Sequence, residues 1–169
     1  DLYLLGVRGK SVLSAHPVGL PTNKLDIAGS SVSGQVLYRF QLASSGENES
    51  ISQMGFFMRT VSGLGASDFQ NIELYIDYDE DGEVDVDDDQ VGGAPTIVVS
   101  GVGGSITFSS SFTSTTTRNY IIVGDISGIG DDGDGFSIEL RGKDVTSTGA
   151  DSSLAIPHSQ SYTRQRHYK

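Results

Sequence analysis

Nine of the chain's 22 acidic residues stand within residues 77–89: Asp77, Asp79, Glu80, Asp81, Glu83, Asp85, Asp87, Asp88 and Asp89. No Lys or Arg interrupts them. Counted from Asp77, acids fall at positions 1, 3, 5, 9 and 12 of a twelve-residue loop, with Gly82 at position 6 and Val84 at position 8. That is the spacing of a loop wrapped around a calcium ion. Alternate side chains converge on one point, the glycine permits a sharp turn, and the apolar residue pins the loop to the core. In this arrangement Asp77, Asp79 and Asp81 supply side-chain oxygens and Glu83 its backbone carbonyl. Asp85 acts directly or through water, and Asp88 stands where a bidentate Glu is usual, which points to a weaker, extracellular type of site. Two carboxylates about 5 Å apart repel by about 3 kcal/mol at an effective dielectric of about 20. Converging acids therefore favour a cation. The alternative is a solvated acidic turn around Asp81-Gly82.

A second acidic patch, Asp125, Asp131, Asp132 and Asp134, lies within GDISGIGDDGDG. It is a candidate second metal site, although its spacing matches no loop template; a polar turn is the alternative. The histidines, His16, His158 and His167, are expected at the surface. None accompanies a G-x-S-x-G nucleophile signature, and no G-x-x-x-x-G-K phosphate loop occurs. Glycosidase-type carboxylate pairs stay open because acids abound, but the chain reads as a non-enzyme. Asn48-Glu49-Ser50 fits an N-glycosylation sequon in a turn.

The segments that must carry these residues alternate with a period of two. Val36, Tyr38, Phe40 and Leu42 form one such series; Met54, Phe56 and Met58 another; Ile72, Leu74 and Ile76 a third, leading directly into the acidic loop. Residues 96–102, 106–112, 119–126 and 136–140 continue it, with a terminal strand expected at 154–156. Phe56 and Phe57 are both read as core. Glycine and serine clusters punctuate the series, and no stretch sustains a helical period. The expected fold is all-β: an antiparallel β-sandwich, Ig-like or jelly-roll, with an N-terminal extended arm. Three regions are expected. They are an arm over residues 1–35, a calcium-binding sandwich over 36–157, and a basic C-terminal tail over 158–169. The tail is read either as solvated or as a docking segment for an acidic surface such as another copy of the chain.

The 169 residues carry a net charge of −11 and 22 Gly, with no Cys and no Trp. Disulfides, thiolate zinc sites and cysteine nucleophiles are thereby excluded. The acidity, with a pI near 4.4, disfavours nucleic-acid binding. No apolar run approaches the ~20 residues of a membrane-spanning helix, so no membrane insertion is expected. The sequence starts at Asp1 rather than Met. It is read as a mature chain, extracellular or on the cell surface after removal of a leader peptide.

From about residue 36 to 149 the chain resembles secreted bacterial and archaeal Ig-like surface modules that carry a dockerin- or EF-hand-like calcium loop. The segments carrying the likeness are IELYIDYDEDGEVDVDDDQVG, ITFSSSFT, NYIIVGDISG and DGFSIELRGKDVTSTGA. A lone sandwich with a spare apolar strand is also similar to subunits of extracellular filaments and tubes, cannulae among them. The resemblance implies a structural or adhesive role, Ca2+ as the cofactor, and no catalytic residues. The expected function is a subunit of a filament, tube or surface layer, with copies of itself as partners. Leu2, Tyr3, Leu4, Leu5 and Val7 would pair with an open sheet edge of the next copy. A calcium-dependent adhesin or carbohydrate-binding module, with surface glycans as partners, is the alternative.

Overall fold

In a computed structural model, residues 9–25, 29–159 and 162–169 are described. The apolar arm residues Leu2, Tyr3, Leu4, Leu5 and Val7 lie outside them. One sheet contains β1 (Lys10–Ser14), β2 (Val32–Ser45), β4 (Phe69–Asp77), β5 (Asp89–Val91) and β9 (Thr117–Ile126), in the order β1-β2-β9-β4-β5. The other contains β3 (Glu49–Ser62), β6 (Thr96–Ser100), β7 (Gly103–Phe108), β8 (Phe112–Ser114), β10 (Gly135–Arg141), β11 (Val145–Gly149) and β12 (Tyr162–Tyr168). Its path is β12-β10-β3-β7-β6, with β8 and β11 also paired to β3. The named strand pairs are all antiparallel. The fold is a two-sheet antiparallel β-sandwich, as the alternation predicts.

The core is the meeting of the two inward faces. Tyr38, Phe40 and Tyr120 come from the first sheet, Phe56 and Phe108 from the second, and all are at most 1% exposed. Phe40 stacks on Tyr120 with ring centroids 5.0 Å apart, and Tyr38 meets Phe56 edge-on at 5.7 Å. Each such ring contributes about 1.5–3 kcal/mol through burial. The Tyr38 hydroxyl accepts the Leu140 N–H at 3.2 Å, tying β2 to β10 across the layers. Phe57, expected in the core, points the other way and is 36% exposed. Consecutive strand residues face opposite sides, so Phe56 and Phe57 could not both be buried by one core.

The expected boundaries shift at both ends. Within the segment expected as an N-terminal arm or strand, Lys10–Ser14 is a strand paired with β2, and Leu25 is fully buried. Residues 154–156 form only an isolated bridge, Ala155 to Thr148. The basic segment expected as a tail contains β12, paired along its length with β10. Its inward positions are polar, and each finds a backbone acceptor, although His167 Nδ1 has no partner among the described residues. The Gln165 amide donates to the Pro21 carbonyl at 3.0 Å, and the His167 Nε2–H donates to the Leu37 carbonyl at 2.7 Å. A segment from β1 bridges the layers as well: Ser11 N donates to the Pro157 carbonyl, and Ser159 N to the Ser11 carbonyl. The sandwich is thus laced shut along its β1–β12 side, while β5 and β6 end the sheets on the other.

Candidate metal centre

β4 delivers the acidic loop. Ile72, Leu74 and Ile76 bury one face of the strand, and the chain leaves the sheet at Asp77. It returns at Asp89, which pairs with Ile76. Asp77 itself is 2% exposed, although charged. Its burial is offset by three donors. Oδ1 accepts the Glu80 N–H at 2.7 Å, and Oδ2 accepts the Gly82 N–H at 2.9 Å and His16 Nε2 at 2.8 Å. A buried carboxylate needs such partners.

The turn is built around Gly82. Its φ is +79°, and a Cβ there would lie 2.5 Å from Val18 Cγ2 and 2.8 Å from Arg39 Nε. Both the backbone conformation and the space demand glycine. Around it the acids fold onto nearby amides. Asp79 Oδ1 accepts the Asp81 N–H at 3.3 Å, Asp81 Oδ1 the Glu83 N–H at 2.7 Å, and Asp85 Oδ1 the Asp87 N–H at 2.8 Å. Asp88 closes the loop: Oδ1 accepts the Tyr78 N–H at 3.0 Å and Oδ2 the Asp85 N–H at 3.2 Å. Tyr78 also donates its hydroxyl to Asp89 at 3.0 Å, under the Arg118 guanidinium, which sits 5.2 Å from the ring centroid.

Among the described residues, Asp77, Asp79 and Asp81 form a group able to hold a metal ion, with one oxygen from each within 4.8 Å of the others. An all-oxygen, all-carboxylate donor set suits a hard cation, calcium or magnesium, rather than a thiophilic or imidazole-seeking metal. The other three predicted ligands are placed differently. The Glu83 side chain turns to Arg39 at 3.1 Å. Asp85 and Asp88 brace backbone amides and stand outside the group of three. Burial, with the Asp77 and Asp85 charges beside it, raises the Asp88 carboxyl above its ordinary pKa, against the two amides that bind it.

His16 was expected at the surface and is instead buried against the first loop residue. Its Nδ1 accepts the Val18 N–H at 3.3 Å, so Nε2 carries the proton given to Asp77. Burial lowers its pKa, against the pull of Asp77 and with the help of Arg39, which keeps the ring neutral. It orients the carboxylate as outer partners orient metal ligands generally. The sequence separation of 61 residues hides this pair.

The second acidic patch is not gathered. Asp125 accepts Ser33 Oγ, Gly34 N and Asn71 Nδ2 at 2.6–2.7 Å, and these bonds, Ser33 first, lower its pKa. Asp134 accepts the Gly130 and Asp131 amides at 2.8 Å, and the two amides hold its pKa down. Among the described residues, Asp131, Asp132 and Asp134 join no metal-holding group. These aspartates shape turns. Asn48 is exposed between β2 and β3, a position open to modification.

A second buried histidine pair escaped the sequence. Glu49 Oε1 accepts His158 Nε2 and Ser147 Oγ, each at 2.5 Å, and Oε2 accepts Ser44 Oγ at 2.6 Å. Burial pushes the Glu49 carboxyl up, but His158 and the two hydroxyls outweigh it and hold its pKa below the ordinary value. The set has the residue types of a hydrolytic triad. Its geometry differs, because the same His158 nitrogen faces both Glu49 and Ser147, the latter at 3.4 Å. Compared with known families and with curated proteins, the chain matches no family model and no curated relative.

Proposed function

We propose that the chain is a structural subunit of an extracellular filament, tube or surface layer, joined to its neighbours by β-strand addition and stiffened by calcium. Calcium would sit between Asp77, Asp79 and Asp81, in the loop that Gly82 turns and His16 braces from within. The observation that carries the assembly is the open side of the sandwich. There β5 and β6 are sheet ends with no outer partner among the described residues. Between them runs a mixed groove lined by the polar Asn71, Glu73 and Gln90 as well as by Ile72, Ala94, Pro95 and Ile97. Main-chain donors and acceptors along such an edge suit an added strand. Leu2, Leu4 and their neighbours would supply the strand and the side chains.

Electron microscopy of the full chain with and without calcium tests this reading, beside a variant lacking residues 1–8. Filaments or tubes that need both calcium and the first eight residues are expected. Polymers undiminished by the deletion would refute strand addition. A calorimetric titration without heat, together with a melting temperature unmoved by EDTA, would refute the calcium site.

A further inference from the structure

The outer face of the second sheet carries a concentration of positive charge that an acidic chain does not need for solubility. Arg59 on β3, Arg141 on β10 and Arg164 on β12 line a shallow groove of about 750 Å³, floored by Phe57, Met58, Gly103 and Gly104. Arg166 extends the row. It is exposed and pairs across the strands with Ser137, which pairs in turn with Arg59. The acids within reach are few. Glu139 is 4% exposed and is held by Arg164 at 2.8 Å and Arg59 at 3.2 Å, while Asp144 takes Arg141. Four guanidinium groups against two carboxylates leave the face positive.

We propose that this arginine face binds carboxylates of a second copy of the chain, namely those of its acidic loop at residues 80–89. The contact rests on the reading of the chain as a homopolymer subunit and names a second surface that joins the subunits. Charge complementarity selects the occupant. Glu80, Asp85, Asp87 and Asp89 are exposed outside the three-residue metal group. Among the described residues the ion pair that reaches the loop is Arg39 to Glu83, and the neutral His16 adds a hydrogen bond to Asp77. Guanidinium forks match carboxylates geometrically. A sugar is a poorer fit, because Arg141 already covers the Phe57 ring, 4.0 Å from its centroid. The face lies on the second sheet and the loop on the first, so the contact joins unlike surfaces. Such head-to-tail contacts build open filaments unless they close into rings.

Sedimentation velocity of the full chain at 20 mM and 300 mM NaCl tests the contact. Association should weaken at least about tenfold across that range, as charge-steered contacts do. Arg166→Glu, which leaves the Glu139 ion pairs untouched, should weaken it similarly at low salt, and Arg59→Glu/Arg166→Glu more. Glu80→Lys/Asp87→Lys on the loop should do the same. Mixing the arginine variant with the loop variant should restore association between them. Salt-insensitive association, arginine variants that associate like wild type, or a mixture that recovers nothing would each overturn the proposal. So would an Arg166→Glu variant that loses binding to polygalacturonate while self-association stands. Loss of this contact with the residue 1–8 dependence intact removes only the contact. Charge-sensitive pairing that survives when the deletion changes nothing removes only strand addition.

Discussion

His158→Ala probes whether the buried Glu49 network holds the sandwich together. Glu49 is fully buried on β3 and accepts three side-chain donors, of which the imidazole, from the segment after β11, is the most distant in sequence. Truncation removes a hydrogen bond to a charged group, about 1.5–3 kcal/mol, and leaves a ring-sized hole that adds to the loss. A destabilisation of about 2–4 kcal/mol at pH 7 is expected. Urea unfolding followed by circular dichroism measures it. The pH dependence sharpens the test. The Glu49 pKa is lowered on folding, so its stabilisation is complete above the unfolded value of about 4.3 and is lost as pH falls through the lower folded value. The gap between wild type and His158→Ala should therefore narrow as pH falls below about 4. Replacing both partners by apolar residues, Glu49→Leu/His158→Leu, should cost less than Glu49 left without His158. A His158→Ala variant within about 0.5 kcal/mol of wild type at pH 7 would show that the network is decorative. A gap that widens as pH falls below about 4 would show that the charge of Glu49 has been assigned wrongly.

Gly82→Ala should destabilise by about 2–4 kcal/mol, from the left-handed backbone together with the clash against Val18 and Arg39, and should weaken calcium binding measured by calorimetry. Retention of wild-type stability and affinity would separate the turn from the site. Phe56→Ala should cost about 3–5 kcal/mol in the same urea assay, because the ring is fully buried among Tyr38, Phe40 and Phe108. A loss below 1 kcal/mol would mean that the core repacks around the gap.

The strands were legible wherever one face is apolar and the other polar. Ile72, Leu74 and Ile76 announce β4 because alternate residues must face one core. The acidic loop was legible through Gly82 as much as through its acids, since spacing, φ and crowding all require the same residue there. The C-terminal strand was not legible. Its inward residues, Gln165 and His167, are polar and are accommodated inside with the help of the carbonyls of Pro21 and Leu37, 144 and 130 residues away in sequence. Period-two hydrophobicity cannot register such a strand. The histidines failed for the same reason: a buried His is stabilised by a particular acceptor, and acceptors contributed by distant segments leave no local signature. At Asp125 and Asp134 the glycine-rich acidic sequence follows the polar-turn reading, with the carboxylates accepting backbone amides.

Tyr78 gives the loop a built-in optical reporter. The chain has no Trp to mask tyrosine emission. Tyr120 and Tyr38 are sealed in the core, whereas Tyr78 is exposed among the aspartates, with its phenol on Asp89 and Arg118 over its ring. A cation drawing those carboxylates inward would alter the field at Tyr78. Near-ultraviolet dichroism and tyrosine fluorescence of the unlabelled protein would therefore follow the loop's state directly, with Tyr78→Phe as the blank.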